Sequence, residues 1–311
     1  MSSLMVFPGQ GAQYPQMLHQ LPDDALVREC LGEASEALGD DVLALDSADA
    51  LTDTRAVQLC LLVAGVACAR CLIVRSGAPA YVAGLSIGAY AAAVIAGALA
   101  FGDAVRLVAL RGELMQNAYP TGFGMTAVLG LDQTSVEALI AEVHSPQTPL
   151  YLANINTDTQ MVVAGSDAAM AHVVELAKAN GAAATKRLAL SVPSHCALLE
   201  QPALALAAAF AKVSMHAPAV RYLSGSSARL LMTAEKLRED LVFNMCRVID
   251  WRSTVQTAYE RGVRLQIELP PGSVLTGLGK KMFGHGGAVA FQGARMDTLS
   301  ALLQEQGRRN R

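Results

Sequence analysis

An α/β fold is what this 311-residue sequence predicts, a mainly parallel sheet covered by helices on both faces, with a small β-α-β-β-α-β unit inserted into it. Three observations lead there. Short apolar runs alternate with longer helical patterns along both outer parts of the chain, the rhythm of a parallel sheet whose crossovers are helices. One run, Tyr81-Val82-Ala83, passes through Gly84-Leu85-Ser86-Ile87-Gly88 into an Ala-rich stretch at 89–100, which reads strand, sharp turn, helix. Between about 124 and 190 the rhythm changes to the split pattern of a ferredoxin-like unit, which can close on itself.

In chain order, Leu4-Met5-Val6-Phe7 is a short buried strand ended by the turn-forming Pro8-Gly9-Gln10-Gly11. Helical patterns follow at 24–38 and 54–75, then the strand and turn at 81–90, then a helix at 103–117 that stops before Pro120. In the inserted unit, strands at 125–131, 150–155, 160–165 and 184–190 frame helices at 134–143 and 167–180. The domain boundaries are therefore 1–123 with 191–311 for the large domain and 124–190 for the small one. Beyond it come a helix near 197–212, a strand near 219–224, helices at 233–246 and 250–262, a strand at 264–269 and a helix from about 272.

Composition narrows the function. With 52% hydrophobic and 16% charged residues the chain is not disordered. Its 24 Lys and Arg against 27 Asp and Glu leave no basic excess to hold a polyanion, so no nucleic-acid partner is expected. The basic end at 308–311 reads as a solvated tail. Residues 56–74 carry Gln58 and Arg70, which favours a buried helix over a membrane span; 80–101 are uncharged but lack positive flanks. No membrane association is expected. The first residues show neither a charged n-region nor a long apolar one, so no secretory signal is read and a cytoplasmic location is expected. The six cysteines show no metal-ligand grouping, and Cys68 and Cys71, though spaced C-x-x-C, sit inside an apolar helical pattern that suits packing better than redox chemistry. No metal site is expected.

The G-x-S-x-G turn is the setting of a nucleophile elbow, in which Ser86 stands clear of the sheet and the next helix aims its N–H groups at developing charge. An ordinary strand-to-helix turn is the bland alternative. A serine needs a base, and of the six histidines His195 stands out, in the segment where the chain leaves the small domain and borders a cleft. Arg111 lies on an otherwise apolar helix. It is either paired internally, with Glu113 or Asp103, or a fork for a substrate carboxylate.

These motifs together resemble the malonyl-CoA:acyl-carrier-protein transacylases over nearly the whole chain. The matching segments are Phe7 to Gln13, Gly84 to Tyr90, Arg111 to Gln116, Ser191 to Leu199, Trp251 to Val255 and Pro271 to Leu278. The resemblance implies an α/β-hydrolase-like large domain and transfer of malonyl from malonyl-CoA, through a malonyl-serine, to the prosthetic-group thiol of an acyl carrier protein. It implies Ser86 as the acylated residue and His195 as its base. Ile87 N–H and Gln10 would form the oxyanion hole, and Arg111 would hold the malonyl carboxylate. The Asp250 carbonyl would orient the histidine, Asn154 and Gln160 would line the pocket, and no resident cofactor is implied. Leu85 and Ala89 stand where the fatty-acid enzymes have His and Glu, and Arg247-Val248-Ile249 replaces their Asn-Pro-Val. With Asn154-Ile155-Asn156, this looks most like the transacylase subunit of malonate decarboxylase, whose carrier holds a modified dephospho-CoA, and further decarboxylase subunits are then expected partners. A malonyl transacylase of fatty-acid or polyketide synthesis is the alternative. A serine esterase or thioesterase, or a non-catalytic binding subunit, would be of a different class.

Overall fold

A computed structural model describes residues 2–189 and 192–308. The large body begins with β1 (Ser2–Phe7), α1 (Ala25–Leu38), α2 (Thr54–Ser76), β2 (Tyr81–Gly84), α3 (Gly88–Ile95) and α4 (Phe101–Ala118). The small unit follows as β3 (Phe123–Leu129), α5 (Gln133–Val143), β4 (Leu150–Thr157), β5 (Gln160–Ser166), α6 (Asp167–Ala179) and β6 (Ala184–Arg187). The chain then returns through α7 (Glu200–Phe210), β7 (Arg221–Leu223), β8 (Leu230–Leu231), α8 (Ala234–Phe243), β9 (Ile249–Asp250) and α9 (Trp251–Glu260). It ends with β10 (Val263–Glu268), α10 (Val274–Met282), β11 (Gly287–Ala290) and α11 (Met296–Arg308). Helix starts follow local chemistry. Asp24, Asp53, Asp132, Ser166, Thr233 and Asp250 each accept a first-turn N–H with the side chain.

The large sheet runs β11-β10-β1-β2-β7-β8, parallel at every pairing except the last. Its core is built around α2, which is buried nearly all round between α1, α3, α4 and α11. This helix is long and apolar enough to cross a bilayer, but 83% of its most apolar window is covered by the protein itself, so it is a core helix. Cys60, Cys68 and Cys71 lie on it, and burial raises all three thiols, Cys60 to about 12. They pack as small apolar groups.

The small sheet runs β6-β3-β5-β4-β9. Its fifth strand was not expected: Ile249 and Asp250 come from beyond the insertion and pair in parallel with Asn154 and Ile155. The small sheet is thus laced to the large body, and Val248 packs into its core. Other differences are local. The Ala-rich helix ends at Ile95 rather than 100, because Gly97 takes φ 72 and turns the chain away. The last predicted strand of the insertion stops at Arg187; residues 190–191 and the basic end at 309–311 lie outside the described residues.

Since β1, β2, β7 and β10 run in one direction, the turns after Phe7, Gly84, Leu223 and Glu268 gather at one edge of the sheet. That carboxyl edge, where α/β sheets place their ligands, lies against the small sheet.

Candidate active site

The elbow is forced by contact. A Cβ on Gly84 would lie 2.0 Å from the Gly88 carbonyl carbon, and one on Gly88 would lie 2.2 Å from the Phe7 carbonyl oxygen. Only glycine lets the turn cross so close to β1. Ser86 sits at its apex with φ 56, a left-handed conformation that lifts its side chain out of the sheet and that non-glycine residues adopt only where surroundings impose it. The backbone N–H groups of Ile87 and Gln10 donate to no acceptor among the described residues.

His195 also has a positive φ, of 66, and is held on two sides. Its backbone N–H donates to the Met245 carbonyl at 2.6 Å, and Nδ1 lies 2.6 Å from the Asn244 carbonyl. A carbonyl only accepts, so Nδ1 carries the hydrogen and Nε2 is left with a lone pair. The orienting carbonyl is therefore that of Asn244 and not that of Asp250. Asp250 is committed elsewhere: its side chain caps α9 at Ser253 N–H, and its backbone belongs to β9.

Burial, with the nearby charge of Arg111, lowers the pKa of His195 from 6.5 to about 4, against the opposing Asn244 contact. The neutral, base-competent ring thus persists well below pH 6.5. kcat/KM for the thioester substrate is expected to stay level as pH falls through 6.5 and to decline only near about 4. Initial rates across that range test this, and an acid limb near 6.5 would mean a solvated ring. The stability linkage has a definite sign. The unfolded chain takes this proton first, so His195's contribution is complete above about 6.5 and shrinks as pH falls toward about 4.

Arg111 is wholly buried and has no carboxylate partner among the described residues. The two internal candidates are taken: Glu113 pairs with Arg55 at 3.0 Å and Asp103 with Arg106 at 2.8 Å. Its guanidinium instead donates to Gln58 Oε1 at 2.7 Å, to Asn244 Oδ1 at 3.2 Å and, at the outer limit of a bond, to Ser86 Oγ at 3.4 Å. The Nε–H is unpartnered among the described residues, and burial lowers the pKa. A buried cation met by amide and hydroxyl oxygens and the face of Tyr90, with no carboxylate among the described residues, is poised for an incoming anion.

Two functional residues were missed. Gln58 Nε2 donates to Gln10 Oε1 at 3.1 Å while its own oxygen receives Arg111, so one amide ties the arginine to the loop after β1. Asn244 presents its carbonyl to His195, its Oδ1 to Arg111 and its Nδ2 to the Ser86 carbonyl at 3.3 Å. A lone amide in an apolar helix was the only available signal for Gln58; Asn244 gave none.

A cleft of about 360 Å³ opens above these groups, lined by Gln10, Ser86, His195, Asn154 and Gln160 among others. The two pocket residues expected on the small sheet are thus placed there. Arg111 and Ile87 stand behind the serine rather than on the lining. A family model described as the acyl transferase domain matches residues 4–304.

The chain belongs to the acyl transferase family.

Among similar proteins of this acyl transferase is the malonyl CoA-acyl carrier protein transacylase of Escherichia coli K12, 39% identical over 288 residues, spanning 89% of this chain and 91% of that protein. The transacylase of the same name from Bacillus subtilis 168 is 32% identical over 282 residues, 89% of each. The crystal structure of FabD from Acinetobacter baumannii matches with a TM-score of 0.93 at 34% identity, over 98% of this chain and 99% of that one. A malonyl-transacylase solved in complex with its type II PKS acyl-carrier protein matches with a TM-score of 0.91 at 35% identity, over 98% and 100%.

Proposed function

We propose that this acyl transferase moves malonyl from malonyl-CoA to the thiol of an acyl carrier protein through a malonyl ester on Ser86. The observation that carries the reading is the buried Arg111 fork, unpaired by any carboxylate among the described residues and 3.4 Å from Ser86 Oγ. The malonyl carboxylate takes the guanidinium, which sets the thioester carbonyl against the serine. His195 Nε2 accepts the serine proton as Oγ attacks the thioester carbon. The oxyanion then rests on the free N–H of Ile87 and a donor at Gln10. The C–S bond breaks, and His195 returns the proton to the departing CoA sulfur. The carrier's thiol then attacks the malonyl ester, giving up its proton to His195, and Ser86 leaves as the hydroxyl.

For the acceptor we infer the carrier subunit of malonate decarboxylase, in company with its other subunits. The support is local: Leu85, on the cleft, and the buried Ala89 stand where the fatty-acid enzymes carry His and Glu, and Asn154 with Asn156 lines the opposite wall.

Incubation with malonyl-CoA alone should leave one malonyl group on Ser86 by intact-mass measurement. Steady release of free malonate without any thiol would instead make the protein a hydrolase. Offered both carriers, the acylated enzyme should discharge to the decarboxylase carrier at least about 10-fold faster than to a fatty-acid carrier. Equal rates would return it to the fatty-acid or polyketide alternative.

A further inference from the structure

The segment from Pro271 to Leu278 carries no role in the chemistry above, yet its geometry is unusual. The N-cap residue of α10, Ser273, makes no side-chain cap. The helix start is held from a strand instead. Glu268, the last residue of β10 and wholly buried, accepts the Leu275 N–H at 3.0 Å and the Thr276 N–H at 2.6 Å, one on each carboxylate oxygen. Two positions earlier on the same strand face, the buried Gln266 donates from Nε2 to the Leu275 carbonyl at 2.9 Å. The contact is close: a Cβ on Gly279 would lie 2.6 Å from that amide nitrogen. The first turn of α10 is therefore clamped at both its N–H and its C=O groups by one strand, with the carboxylate at the positive end of the helix.

What this clamp positions is one wall of the cleft. Val274, Leu275 and Leu278 line it together with Ala127 and Val162 of the small sheet and Leu188 just beyond β6. Val274 is 55% exposed, a large apolar residue left on the surface at the cleft itself. Ser86, His195 and Arg111 are held by other elements: the β2–α3 turn, the loop after α8, and α4. The wall can thus loosen without disturbing the reacting groups.

We infer that Glu268 is a positioning residue for the arm of the thioester: its carboxylate fixes the start of α10 and so holds Val274, Leu275 and Leu278 against the methylene and gem-dimethyl groups of the uncharged chain between the sulfur and the phosphates. The inference rests on the malonyl-transfer reading above. Glu268→Gln keeps the shape but turns an NH2 group toward a backbone N–H, so one of the two bonds is lost. The expected signature is a KM for malonyl-CoA raised about 10-fold with kcat within about twofold, the pattern of binding lost equally in ground and transition states. The advantage of malonyl-CoA over malonyl methyl thioester, which has no arm, in acylating Ser86 should shrink by the same factor. Val274→Ala changes an exposed side chain and leaves the fold intact; it should shift both readouts in the same direction, by about threefold. Equal losses with both thioesters in Glu268→Gln, or an unchanged KM in either variant, overturns the inference. Failure of the unaltered enzyme to take malonyl from either thioester is a different result, and it removes the malonyl-transfer reading together with the inference built on it.

Discussion

Replacing Ser86 with alanine should abolish the malonyl adduct and lower transfer from malonyl-CoA by at least about 10⁴-fold, the scale on which a nucleophile that works with its base is missed. The substitution is clean. Position 86 has φ 56, which strains alanine no more and no less than serine, so the turn is not further distorted. Among the described residues Ser86 Oγ makes one hydrogen bond, the 3.4 Å approach of Arg111, and that guanidinium keeps its shorter bonds to Gln58 and Asn244. A thermal midpoint close to that of the parent is therefore expected beside the loss of activity. Intact-mass measurement after exposure to malonyl-CoA reads the adduct, and a radiolabelled carrier assay reads transfer. On the mechanism proposed above the two act as a unit, so His195→Ala should be nearly as inactive and the double variant no worse than either single one. A single alanine variant at 86 that still accumulates malonyl-enzyme would assign the acyl group to another side chain.

The site was legible from the sequence to different depths, and the reasons are physical. The elbow is a local device. Gly84 and Gly88 are needed because the chain doubles back within five residues, so the pentapeptide carries its own geometry. Gln58 and Asn244 meet Arg111 across 53 and 133 residues of chain, and no spacing rule spans such distances. The orienting carbonyl was misplaced at Asp250 for a related reason. Every residue has a backbone carbonyl, so residue type cannot show which one an imidazole will meet; the loop after α8 decides it by bringing Asn244 and Met245 to both sides of His195. Among the strands, β8 and β9 have two residues each, too short for any alternation to show. β11, with Gly287 and two alanines, has little side chain to pattern. The longer strands and the buried α2 carried strong apolar signals and ended within a few residues of where they were expected.

Arg111→Ala carries the second large effect, and its consequences separate binding from chemistry. In the free enzyme this guanidinium has no carboxylate among the described residues and leaves Nε–H unpartnered, so much of the penalty of burying a cation is already present before substrate arrives. On the proposed reading a malonyl carboxylate relieves it and an acetyl group does not. Losing one member of a buried charge pair is worth about 3–5 kcal/mol, which corresponds to a factor between roughly 10² and 4 × 10³. Transfer of malonyl should fall by about that factor, while transfer of acetyl falls far less or rises, so that discrimination between the two collapses. Competition between the two CoA thioesters for the enzyme, read by mass, measures the ratio directly. For folding, removal of a desolvated charge is a gain, set against the cavity left by one of the largest fully buried side chains. The amide oxygens of Gln58 and Asn244, each then short of a donor, offset part of that gain. Arg111→Lys keeps the charge but not the fork, and should recover only part of the malonyl preference. If malonyl remained strongly preferred over acetyl in Arg111→Ala, some other group would have to hold the carboxylate, and the buried cation beside Ser86 would need a different explanation.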